Sequence, residues 1–145
     1  MQEQIEFEAR SIEKMLMVFL LVSNPDEGRI DYVHVYENYH DGKPHGCLSA
    51  DKDGFKPLVT DLKNPSYIHY NYKLHQLNVC DGDSILAYDV VFNTADENMV
   101  PDGGYTLVND VECGGLHADK FGNLLFVDKK RKTINKISTA NLKKS

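Results

Sequence analysis

Short runs of β-favouring residues, each closed by a small polar or acidic residue, recur along the chain. Phe19 to Ser23, Leu77 to Asp81 and Leu124 to Asp128 share this form. After a short polar turn, each is followed by a second apolar segment, at Arg29-Ile30, Ser84-Ile85 and Thr133-Ile134. The pattern predicts three two-stranded hairpins, and a helical period of 3.6 is hard to find after about residue 15. Only Gln2 to Lys14 leaves two options open. Its apolar Ile5, Phe7 and Ile12 lie among good helix formers, which fits either a short helix or an extended arm.

The hairpins belong to a larger repeat. Phe19 to Leu77 is 58 residues and Leu77 to Leu124 is 47, near the roughly 40–50 residues of one propeller blade. The excess in the first interval is expected to be an exposed inserted connection, Glu37 to Cys47, rich in Gly, His, Asp and Tyr. A preceding strand recurs as Pro65 to Tyr70 and Cys113 to Asp119, with Ile68 and Leu116 in equivalent places. The turns Asn71 to His75 and Asp119 to Asn123 then lead into the hairpins. Outer strands are expected at Phe55 to Thr60 and Tyr105 to Val108, beside the glycine turns Asp53-Gly54 and Gly103-Gly104. Four short antiparallel strands per unit make a β-propeller blade. The expected organisation is an N-terminal arm over 1–14 and about three blades over 15–145, an all-β chain forming an incomplete ring.

Composition narrows the function. A formal net charge of −6 disfavours a general nucleic-acid binder, which needs clustered cations to neutralise phosphates. The basic run Lys129 to Lys132 reads as a solvated hairpin turn. The apolar run Met15 to Val22 is much shorter than the ~20 residues that span a bilayer, and acidic residues precede it. No membrane is therefore expected as a partner. The absent basic leader and the odd count of three cysteines favour a reducing, intracellular setting. Cys80 reads as a small core residue and Cys113, beside two glycines, as an accessible thiol.

The stretches from Asp53-Gly54 through Asn64-Pro65 and Ile68 to the run Leu77 to Asp89, and then Gly115 to Asp128, carry a family resemblance. They resemble the regucalcin and gluconolactonase propellers and their strictosidine-synthase and NHL relatives, over roughly residues 50 to 138. In the hydrolytic branch, the resemblance implies a calcium ion held in the central channel by Glu and Asn/Asp oxygens, a donor set suited to a hard cation. Two ligands in such proteins fall in Pro-Asn-Gly and Pro-Asp-Gly motifs that begin innermost strands. Here those places hold Pro65-Ser66-Tyr67 and Cys113-Gly114-Gly115. Ser66 and Gly114 lack the amide oxygen and carboxylate charge, so Asn64 and Glu112, two residues earlier, are the metal candidates, and only in a shifted register.

Other constellations have plain structural readings. Asp51 to Gly54 imitates part of an EF-hand loop, but its register puts Ser49 at the first ligand and Thr60 where a bidentate Glu is required. Among the histidines at 34, 40, 45, 69, 75 and 117, only His69 and His117 occupy nearly equivalent repeat positions, and none forms a zinc-ligand pair. Asp81 and Asp128 end equivalent strands and are expected to accept hydrogen bonds from turn amides. The residues themselves imply no cofactor, and no catalytic residue stands out.

The sequence leads first to a non-catalytic propeller module, a structural or protein-interaction subunit whose partner is another propeller fragment, a second copy or a larger complex. The alternative is a calcium-dependent lactonase or esterase. A third reading is an extracellular ligand-binding propeller related to the yellow and royal-jelly proteins.

Overall fold

The computed structural model describes residues 2–8, 16–40, 43–50, 54–93, 95–96 and 98–143. They form an all-β array of three antiparallel sheets, none closed into a barrel. The first sheet contains β1 (Gln2–Glu8), β2 (Leu16–Asn24), β3 (Arg29–His40), β4 (Lys43–Ala50) and β5 (Lys56–Val59). The second is a four-stranded meander of β6 (Pro65–Asn71), β7 (Gln76–Asp81), β8 (Ser84–Asn93) and β9 (Asn98–Val108). The third contains β10 (Cys113–Ala118), β11 (Leu124–Asp128) and β12 (Thr133–Ile137), followed by the short helix α1 (Thr139–Leu142).

The sequence repeat is preserved in the pairing register. Leu77, Val79 and Asp81 on β7 correspond to Leu124, Phe126 and Asp128 on β11, and to Phe19, Leu21 and Ser23 on β2. Ile68 faces Val79 across β6–β7, and Leu116 faces Phe126 across β10–β11, so the two are register-equivalent. The strands that open the sheets adjoin one another, with β6 in contact with both β1 and β10.

Paired strands settle one open choice and overturn one expectation. Gln2 to Glu8 is extended and pairs with β2 from Gln2↔Val22 to Glu8↔Leu16. Ile5 and Phe7 alternate with Gln4, Glu6 and Glu8, a period of two that favours a strand over a helix. The rest of the expected arm, 9–14, lies outside the described residues. Glu37 to Cys47 is no irregular connection either. Its described residues continue β3 and begin β4, in a hairpin that extends the first sheet.

The middle sheet is covered on both faces, and every residue of β7 is buried. Leu77 and Val79 join Phe19, Leu21, Ile30 and Tyr32 in the core against the first sheet. Cys80 and Ile85 join Leu124, Phe126 and Leu142 in the core against the third. Burying polar residues in such a strand is costly unless each finds partners. Gln76 Nε2 donates to the Leu142 carbonyl at 3.0 Å and to the Tyr105 hydroxyl at 3.1 Å. The Tyr105 hydroxyl also donates to the Leu142 carbonyl, and Asn78 Nδ2 donates to Gln76 Oε1 at 3.0 Å. The turn carrying Leu142 is thereby fastened onto the middle sheet.

Cys80 and Cys113 form a disulfide between β7 and β10, with Cα atoms 5.8 Å apart. This corrects the reading of two separate thiols, one in the core and one accessible, since Cys113 is also buried at 8% exposure. The sequence separation is 33 residues, and closing a loop of that size constrains the unfolded chain by about 3–4 kcal/mol. Reduction, or paired Cys80→Ala and Cys113→Ala substitution, is expected to lower stability by about that amount. Urea unfolding with and without reductant checks it; coincident midpoints would show that the bridge contributes nothing.

Candidate functional site

Both β6 and β10 begin with a one-residue bulge opposite a strand-final aspartate. Pairing passes from Pro65↔Asp81 to Ile68↔Val79, and from Cys113↔Asp128 to Gly115↔Val127. A bulge bends the strand and re-aims the side chains on it. Ser66 and Gly114, which stand where the resemblance puts metal ligands, both lie within these bulges. Ser66 Oγ is 3.5 Å from the Cys80 carbonyl, and the Ser66 carbonyl accepts from Ser23 Oγ at 2.9 Å. At Gly114 an added Cβ would come within 2.9 Å of Lys129 Cγ, so a carboxylate there would have to displace that side chain.

The two strand-final aspartates are occupied in holding backbone. Asp81 accepts from Lys63 N at 3.1 Å and Asn64 N at 2.7 Å. Asp128 accepts from Glu112 N at 3.3 Å, Lys130 N at 3.1 Å and Arg131 Nη1 at 2.7 Å. The hydrogen bond from Arg131 holds the Asp128 carboxyl below its usual range. The role expected of these carboxylates is the one they perform. The metal candidates Asn64 and Glu112 take equivalent places, each anchored through its N–H by the aspartate across from it. Their side chains point to different uses: Asn64 is exposed, and the exposed Glu112 carboxylate is 3.7 Å from Lys129 Nζ. No group of three or more His, Cys, Asp or Glu side chains suited to a metal occurs among the described residues.

The basic turn is engaged with the same region. Lys130 Nζ and Arg131 Nη2 reach the Asp110 carboxylate at 2.6 and 2.8 Å. Asp51 to Asp53, the core of the EF-hand imitation, lie outside the described residues.

The opposite ends of β6 and β10 build a different feature. His69 and His117 stand side by side across the junction of the second and third sheets, with ring centroids 5.2 Å apart. Ala118 N donates to His69 Nε2 at 3.2 Å. The neutral His69 ring therefore carries its proton on Nδ1. Burial, helped by the neighbouring His117, lowers the His69 pKa from 6.5 to about 4. The pair opens on a groove of about 390 Å³, whose walls include Tyr72, Lys73, Asp119 and Lys120.

The turns on either side of the groove are clamped together. Asn71 Nδ2 donates to the Gly122 carbonyl at 2.8 Å, and Lys73 N donates to Asn71 Oδ1 at 3.1 Å. Gly122 has φ +86°, and a Cβ there would meet Lys73 Cβ at 2.9 Å. Glycine thus answers both a left-handed backbone and a close approach. The near-equivalence of His69 and His117 in the repeat was the sequence signal for this groove; the contact between their strands was not readable. His34 instead stacks on Phe19 at 4.9 Å, and His75 Nδ1 bonds the Tyr70 hydroxyl at 3.2 Å. The side chains of His40 and His45 lie outside the described residues.

The chain matches no protein-family model, no curated protein and no solved structure. The geometry alone therefore carries the functional reading.

Protonating His69 requires breaking the Ala118 N–H bond and places a charge beside His117. Its folded pKa lies below the unfolded value, so as pH falls the unfolded chain takes up the proton first. Stability is expected to decline from about pH 6.5 to about pH 4 through this group. The His69→Gln variant keeps an acceptor for Ala118 N and is expected to flatten that decline, read as melting temperature against pH. An equal decline in the variant would assign the acid sensitivity elsewhere.

Proposed function

We propose that this chain is a run of β-propeller-type blades acting as a non-catalytic structural or protein-interaction module, which joins further β-structure through the outer face of its third sheet. The observation that carries this reading is the alternation on β10–β12. Leu124, Phe126 and Asp128 turn inward and are buried, whereas Leu125 and Val127 turn the other way. Ile134, register partner of Val127, is 77% exposed. Together with Gly115 they line an apolar cleft of about 230 Å³. Strand β7 of the middle sheet is buried along its whole length, whereas no described sheet covers this face of the third.

The edge of the same sheet supports the reading. In the second sheet β9 pairs along β8, but among the described residues β12 has no strand on its outer side. An apolar face beside an open edge suits another blade-like sheet, whose side chains would pack on Val127 and Ile134. The carboxylates that end β7 and β11, opposite the starts of β6 and β10, are engaged by backbone N–H groups and, at Asp128, by Arg131, in keeping with a scaffold role.

Size-exclusion chromatography with light scattering tests the proposal. Self-association is expected, and Val127→Lys with Ile134→Lys is expected to reduce it while circular dichroism stays unchanged, since Ile134 is exposed and Val127 only half-buried. A monodisperse wild-type monomer at micromolar concentration that also captures no other propeller fragment would overturn it.

A further inference from the structure

We infer that the groove beside His69 and His117 is a binding site for a small organic anion, a carboxylate carried on a planar apolar body. Its volume of about 390 Å³ lies within the roughly 300–1,000 Å³ of small-molecule sites. It sits at the far ends of β6 and β10 from Asn64 and Glu112, so it is distinct from the positions where a metal was sought.

The charge around the groove is unbalanced in favour of an anion. Lys129, Lys130 and Arg131 each have an acidic partner, Glu112 for the first and Asp110 for the other two. Lys73 and Lys120 on the groove walls have no carboxylate within ion-pair distance among the described residues. The groove's own acid, Asp119, has its oxygens engaged elsewhere: Phe121 N at 2.9 Å, Asn123 N at 3.0 Å and Asn123 Nδ2 at 3.0 Å donate to them. A carboxylate between the two lysines would accept charge-assisted hydrogen bonds from them, as no described acid does.

The walls also select for a flat ligand. Tyr72 is 49% exposed and stands edge-on to buried Tyr70 at 5.1 Å, and the exposed His117 ring lies across the groove. An aromatic or other planar body would remove both rings from water while its carboxylate faces the lysines. The clamp from Asn71 to Gly122 fixes the separation of the two turns before any ligand arrives, which spares the site an ordering cost on binding.

The experiment is a titration of the 145-residue chain with benzoate, followed by amide and imidazole NMR, with neutral benzamide and inorganic phosphate as separate arms. Saturable shifts at Lys73, His117, Ala118 and Lys120 with benzoate, weaker with phosphate and absent with benzamide, are expected. The Lys73→Ala, Lys120→Ala double variant should bind benzoate on the order of tenfold more weakly. Both lysines are exposed, so its melting temperature should match the wild type. Phosphate binding as tight as benzoate would overturn the inference, since the planar body would then contribute nothing. Shifts by benzamide equal to those by benzoate, shifts at Leu125, Val127 and Ile134 without any at Lys73 or Lys120, no saturation at tens of millimolar, or a double variant that binds unchanged would each overturn it.

Discussion

The array depends on a carboxylate at the end of a strand capturing the backbone that leads into its neighbour. Asp81 takes the N–H groups of Lys63 and Asn64, and Asp128 takes those of Glu112 and Lys130. A connection that crosses from one sheet to the next has no ladder of its own to satisfy its amides. The buried aspartate supplies those acceptors at the place where the opening strand must start. The bulges start opposite these carboxylates, and the disulfide joins Cys113, register partner of Asp128, to Cys80, the neighbour of Asp81. The first sheet uses a hydrogen bond of the opposite sense. Ser23, at the equivalent position, reaches across with its hydroxyl to the Ser66 carbonyl.

Those anchors also explain why the two ends of the opening strands differ so much. At the anchored end, potential metal donors are consumed or turned to the surface, and the bulges hold Ser66 and Gly114. At the other end the strands run straight, His69 and His117 meet, and the adjoining turns are locked by Asn71. The two strand-final carboxylates are thus committed to architecture, whereas Lys73 and Lys120 stand on the walls of an open groove.

Much of the fold was legible in the sequence because its signal is local and repeated. The strand-final Ser23, Asp81 and Asp128, the three hairpins, and the equivalence of Ile68 with Leu116 needed only spacing and alternation. What escaped depended on distance or on competing patterns. Ile12 supported a helix while Ile5 and Phe7 alternated as a strand, and pairing with β2 decided between them. Glycine and histidine between Glu37 and Cys47 looked like a loop, although long antiparallel pairing tolerates both. The Cys80–Cys113 bond was invisible because the spacing of cysteines carries no connectivity. The groove was half legible: the repeat marked the two histidines, but only the packing of β6 on β10 brings their rings within 5.2 Å.

The fastening of Leu142 sets an order of events in time. Its carbonyl is bound by Gln76 and Tyr105, side chains from β7 and β9, 66 and 37 positions earlier in the chain. Its own side chain is fully buried in the core between the second and third sheets. Neither partner exists as a surface until the second sheet has assembled, and contacts across such separations form slowly. The turn at 139–142 must therefore settle after the middle sheet, so that a nascent chain completes its central layer before the following one can lock.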